Sequence, residues 1–128
     1  RTSRDVIRAW GPRLVDAADE RVLAVLLDAK RRPVAERILA WGSAASAPIA
    51  PRQIFALAVR EGASALVLVH NHPSGDPAPS PDDIAFTRRV AHAGALLEVD
   101  LLDHVIVARE GCFSFLDAGL ITPVAVGA

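Results

Sequence analysis

The chain has 128 residues, 52% hydrophobic and 23% charged, which suits one compact domain able to bury most of its surface. Fourteen Lys and Arg against fifteen Asp and Glu leave a formal charge of −1, which argues against a generally basic nucleic-acid binder and against an acidic tail, but not against a local basic patch. No apolar run reaches the roughly 18 residues of a membrane span, no N-terminal segment has the order of a signal peptide, and one cysteine, Cys112, excludes an intrachain disulfide or a CxxC metal knuckle.

A cytoplasmic location is therefore expected. The chain begins at Arg1 without Met, so it is expected to be a piece of something longer. Only Lys30 is Lys and there is no Tyr, which nearly excludes a Lys nucleophile or a Tyr acid.

In chain order, Ser3 is placed to cap a short helix over Arg4 to Trp10, ended by Gly11-Pro12. Arg21 to Ala29 is apolar and reads as a buried strand. Lys30 to Pro33 is a turn, and Val34 to Trp41 returns as the second strand of a hairpin. Gly42 to Ala50 is a loop. Pro51 opens a helix to about Glu61, with Gly62 as its stop. Ala65 to Val69 reads as a central strand covered on both faces. A polar, Pro-rich loop spans His70 to Pro79, and a helix starts near Pro81 and ends at Gly94. Leu101 to Ala108 is a strand that turns at Glu110-Gly111 into Cys112 to Leu116, with Cys112 as a small apolar filler. Strands alternating with helices imply a three-layer α-β-α domain of the α/β class, and hairpins beside helical crossovers imply a mixed sheet.

The chemistry concentrates in His70 to Asp83, HNHPSGDPAPSPDD. Alternate strand residues face the same way, so His70 and His72 form half of a metal site at a strand end. Asp83 follows in the first turn of the next helix, where it can return over that strand end as a third ligand. Three protein ligands with one open position is how a catalytic zinc is held. Ser80-Pro81-Asp82-Asp83 also fits a helix cap, with Ser80 as cap and Asp83 at the third position. The two readings are compatible, since a cap fixes the helix start that aims Asp83.

The pattern H-x-H-x7-S-x2-D resembles the JAMM motif of the JAB/MPN metalloprotease superfamily. The longer string HNHPSGDPAPSPDDIAFTRRVAHAGALLEVDLLDHVIV, with Pro51-Arg52-Gln53-Ile54-Phe55 before it and Phe113-Ser114-Phe115 after it, resembles the C-terminal domain of the RadC family. The likeness covers roughly Arg21 to Leu116. It implies the JAB/MPN, cytidine-deaminase-like architecture: a helical lead-in over residues 1–16 and a JAB/MPN domain over residues 17–128. RadC proteins usually carry a helix-hairpin-helix region ahead of this domain, which has no counterpart here. The resemblance further implies that His70, His72 and Asp83 bind Zn²⁺, that Ser80 hydrogen-bonds a developing oxyanion or the bound water, and that a Glu on an earlier strand moves the proton.

Of Glu20, Glu36, Glu61, Glu98 and Glu110, Glu36 lies inside a predicted strand and is the candidate base. Glu20 merely precedes the first strand. Aligned on Gly42 and Pro51, however, the family pattern puts its Glu at the position of Arg37. Since a one-residue slip reverses a strand side chain, either a bulge restores the register, or Glu36 points away and Arg37 takes the site face.

Asn71 should face away from the histidines and bond loop backbone. His104, in a strand with Asp103, reads either as a partner that orients a ligand or as a satisfied half-buried histidine. His92 and the pairs Arg88-Arg89 and Lys30-Arg31-Arg32 read as surface, and Trp10 and Trp41 as packing or interface residues. A contiguous His-Asn-His is not the dispersed HNH nuclease motif. The Pro-Cys-x-x-Cys of deaminases and the Gly-rich loops of nucleotide binders are absent.

Two functions compete. One is a zinc hydrolase of JAB/MPN type cleaving a peptide or isopeptide-like amide in a peptide or protein substrate. The other is a catalytically silent MPN-type binding module in a DNA-repair-associated RadC-like protein, a DNA association that the net charge does not support. No membrane contact is expected, and the sequence leaves the oligomeric state open.

Overall fold

A computed structural model describes residues 3–41 and 49–122. The elements are α1 (Ser3–Val15), β1 (Arg21–Leu27), β2 (Pro33–Ala40), α2 (Pro51–Arg60), β3 (Ala65–Asn71), α3 (Pro81–Leu97), β4 (Asp100–Ala108) and β5 (Gly111–Ser114). Residues 42–48 of the expected loop and the side chain of Ser3 lie outside the described residues.

The strands form one five-stranded sheet in the order β2-β1-β3-β4-β5. The β3–β4 pair, joined through α3, is parallel and the others are antiparallel. This is the mixed α/β sheet expected. Because strand side chains alternate, the central strands feed two cores. Val22, Ala24, Leu26, Leu66 and Leu68 pack with Ile54 and Phe55 of α2 and Phe86 and Val90 of α3. Leu23, Val25, Leu27, Val67 and Val69 pack with Val6 and Leu14 of α1. Every residue of β3 is buried, as its near-continuous apolar run suggests.

Helix α1 does not stop at Gly11-Pro12 but runs through Pro12 to Val15. An interior proline removes a hydrogen bond, yet Leu14 beyond it is 1% exposed, and only by continuing does the helix seat that side chain on the sheet. Helix α3 likewise passes Gly94 and ends at Leu97, with Glu98 in the left-handed conformation as its cap. Gly94 serves close packing instead: its carbonyl accepts from the Val99 N–H at 2.9 Å, and the chain folds back so tightly that a Cβ there would lie 2.3 Å from the Val99 carbonyl oxygen. Cys112, expected as apolar filler, is exposed, because β5 is an edge strand with one open face.

Gly94→Ala is expected to destabilise the domain by about 1–3 kcal/mol through backbone overpacking, read as a lower urea midpoint with an unchanged slope; an unaltered midpoint would show that the turn yields at no cost.

Candidate metal centre

The site forms where β1 begins and β3 ends. Val22 pairs with His70 across the antiparallel β1–β3 ladder. Both belong to the sheet face turned to α2 and α3, as do Leu68 and Leu66, which precede His70 on the same face of β3. Residue 20, two before Val22, projects to the same face by the same alternation. Glu20 Oε2 lies 2.6 Å from His70 Nε2 and 3.7 Å from His72 Nε2.

Asp83 arrives from the opposite side, in the first turn of α3. Ser80 Oγ accepts from the Asp83 N–H at 3.0 Å, and the Ser80 N–H donates to Asp83 Oδ2 at 2.8 Å, a reciprocal cap that pins the carboxylate. The same Oδ2 lies 3.0 Å from His72 Nε2. Ser80 thus caps α3 as expected, and it also lines an open cleft of about 330 Å³ with Glu20, Trp41 and His72. One ligating atom each from Glu20, His70, His72 and Asp83 falls within a 4.8 Å span.

The loop after β3 orients His72. Gly75 adopts φ +94°, a conformation other residues rarely take, and its N–H donates to the His72 carbonyl at 3.0 Å. The chain then returns so that the Asp76 carbonyl accepts from His72 Nδ1 at 2.9 Å. A carbonyl can only accept, so the Nδ1 proton is fixed and Nε2 is directed at the cluster.

A family model described as a RadC-like JAB domain matches residues 1–120. The chain belongs to the RadC-like JAB family. It is 45% identical over 109 residues to a UPF0758 protein of Syntrophotalea carbinolica, covering 85% of this chain and 48% of that protein. It is 37% identical over 119 residues to a UPF0758 protein of Pelodictyon phaeoclathratiforme, covering 93% of this chain and 54% of that protein. The chain thus spans about half the length of the curated relatives it matches.

Within this RadC-like JAB domain, the glutamate beside the histidines is Glu20, and Glu36 is not brought to them. Ala35 and Leu39 of β2 pack on the α2/α3 core, so Glu36 projects to the opposite face. There it accepts hydrogen bonds from Trp10 Nε1 and from Arg13 Nη1, the latter at 3.0 Å, and so ties α1 to β2. The single register shift between β1 and β2 falls at Leu26/Leu27, beyond Glu36, and no bulge restores it. Arg37 takes the other face opposite Ala24, level with Leu68, two residues before His70. Sequence reasoning passed over Glu20 because it lies outside a strand; the available signal was its two-residue spacing from Val22.

The residues around the cluster serve it differently. Trp41 packs against His70 with ring centroids 4.6 Å apart and against Phe86 at 5.1 Å. His104 is fully buried, stacked between His70 and Phe115, and its Nδ1 lies 2.6 Å from Thr87 Oγ1. Thr87 Oγ1 in turn donates to the Asp83 carbonyl at 2.7 Å. His104 is thus more than a half-buried histidine: it backs both His70 and the helix turn that holds Asp83. His92 and the Arg88-Arg89 pair are exposed, as expected.

The electrostatics favour charge at the cluster and exclude it behind. Burial alone would raise the Asp83 carboxyl, but hydrogen bonds from His72 and the Ser80 N–H, with the neighbouring imidazoles, bring it down to about 2. The hydrogen bond to Asp83 raises His72 against the opposing effect of burial. Burial pushes His104 well below its ordinary value, so it is neutral.

The donor set fits a divalent cation. Two imidazoles and carboxylate oxygens are ligands zinc accepts. His70 Nδ1 and Asp83 Oδ1 are buried, lack hydrogen-bond partners and lie 3.6 Å apart. Buried polar atoms left this close without a hydrogen bond call for a cation or a proton between them.

In metal-free protein, Asp83 contributes stability that is complete above its unfolded value of 3.8 and is lost as pH falls toward about 2. His72 contributes stability that is complete below 6.5 and is lost as pH rises through its higher folded value. An NMR titration in the presence of chelator is expected to place His72 above 6.5, and Asp83→Asn is expected to return it toward 6.5. An unmoved His72 in that variant would show that the pair is not coupled.

Proposed function

We propose that this domain is a zinc-dependent hydrolase of JAB/MPN type, acting on a peptide or isopeptide-like amide bond. His70, His72 and Asp83 would hold the metal and Glu20 would act as the base. The observation that carries this reading is the convergence of two imidazoles and two carboxylates within 4.8 Å, beside a cleft that Glu20 and His72 line. When bound, zinc supplies Lewis acidity that brings a water's pKa near 7 and polarises a carbonyl.

The protein residues divide the remaining work by position. His70 and Asp83 are almost wholly buried and form the inner wall, while Glu20 and His72 reach the cleft. Glu20 is therefore the group able to exchange protons with a substrate: it takes one from the attacking water and returns it to the departing amine. Its hydrogen bond to His70 keeps the carboxylate pointed inward. The Ser80 oxygen accepts from the Asp83 N–H, which leaves its own O–H to donate toward an oxyanion forming in the cleft. Trp41 shields the outer face of His70 from water. Glu36, bound to α1 on the far face, takes no part in proton transfer.

Elemental analysis of freshly purified, chelator-free protein is expected to find one zinc per chain, lost in His72→Ala. With zinc saturating, Glu20→Gln is expected to retain the metal and to lower amide hydrolysis about 10²–10⁴-fold, measured on a panel of peptide and isopeptide-linked substrates. Glu36→Gln is expected to hydrolyse like the parent. Parent protein that binds no zinc, or full activity in Glu20→Gln, would overturn the assignment.

A further inference from the structure

We propose that Asn71, the residue between the two histidines, is the positioning residue for Glu20: its carboxamide grips the backbone on both sides of Glu20 and so sets the carboxylate over the imidazoles. The inference rests on the reading of Glu20 as the base.

Asn71 is 0% exposed, and its side chain leaves β3 on the face opposite His70 and His72, toward α1. It meets the segment that links α1 to β1. Asn71 Oδ1 accepts from the Arg21 N–H at 2.6 Å. Its Nδ2 donates to the Asp19 carbonyl at 2.8 Å and to the Ala17 carbonyl at 3.4 Å. Glu20 stands between the gripped residues, and its own carbonyl accepts from the Trp41 N–H at 3.1 Å. The backbone at Glu20 is thereby held from β3 and from the end of β2, and the side chain is left to face His70.

A carboxamide suits this task because it offers an acceptor and donors on one planar group, and both are used here. A carboxylate at position 71 would keep the bond from Arg21 but oppose two carbonyl oxygens. An apolar residue would leave the half-buried bonds to the Arg21 N–H and the Asp19 carbonyl unmade. The arrangement also couples the two halves of the site. The residue that grips the base segment is bonded through the chain to both imidazoles, so base and ligands share one frame. Glu20 lies outside any strand, and this grip gives it the precision a strand position would otherwise supply.

The test separates Asn71 acting through Glu20 from Asn71 acting on the fold. In metal-free protein, the imidazole ¹⁵N signals of His70 are compared among the parent, Glu20→Gln, Asn71→Ala and the isosteric Asn71→Asp. Both Asn71 variants are expected to move His70 in the direction that Glu20→Gln does, and to leave buried His104 unmoved. Zinc affinity, titrated with the metal alone, is expected to fall about tenfold in Asn71→Ala, the scale of lost outer-shell support. In the Glu20→Gln background the same substitution is expected to change it less than about twofold. An unmoved His70 in a folded Asn71 variant, or an equal loss of zinc affinity in both backgrounds, overturns the proposal.

If neither Asn71 variant folds, hydrogen exchange in the parent decides: slow exchange of the Arg21 amide and the Asn71 carboxamide supports the grip, and rapid exchange of both overturns it. Absence of zinc binding in every variant would sink the hydrolase reading, while the His70 signals would still decide the role of Asn71.

Discussion

The antiparallel pairing of β1 with β3, in the register that sets Val22 opposite His70, is the constraint on which the site depends. It puts residue 20 beside the histidines on the face turned to α3, and Asn71 on the face turned to α1. A slip of one residue would exchange those faces and scatter the cluster. Val22, Ala24 and Leu26 face one core and Leu23, Val25 and Leu27 the other, all of them buried, so the register is set by how these side chains pack against α1, α2 and α3 and not by a polar–apolar alternation.

The second requirement is that α3 start in the right place. A parallel β3–β4 connection passes through a helix, and the helix must return over the end of β3. The Pro-rich loop is braced as it makes that reversal: the Glu110 N–H donates to the Gly75 carbonyl, and the Ala78 N–H to Asp76 Oδ1. The Ser80–Asp83 cap then joins local helix chemistry to the site, because the carboxylate that stabilises the first turn is also the one aimed at His72. The helix start and the candidate ligand are one structure.

Much of this was readable from residue order. His70 and His72 share a face because strand residues alternate. Ser80 and Asp83 cap a helix because of their three-residue spacing. Asn71 faces the other way and bonds loop backbone by the same alternation that pairs its neighbours. The lengths of α1 and α3 were not readable, since Pro12 and Gly94 look like stops when local propensity is weighed alone. Burial of Leu14 and the close turn of Val99 onto Gly94 override that propensity. Glu36 illustrates the same limit. Its place inside a strand was legible, but which face of the sheet carries the histidines is decided by β1 and β3, and on that frame Glu36 belongs to α1.

The sequence by itself determined what is local: the α/β class, the shared face of His70 and His72 and the cap that sets Asp83, each from spacing within one element, while the family showed in the likeness of a much longer string. Only the tertiary structure decided that Glu20 is their fourth companion. That pairing joins residues fifty positions apart. It is set by which strands lie side by side and in what register, information that resides in the packing of two cores and not in any short stretch of chain.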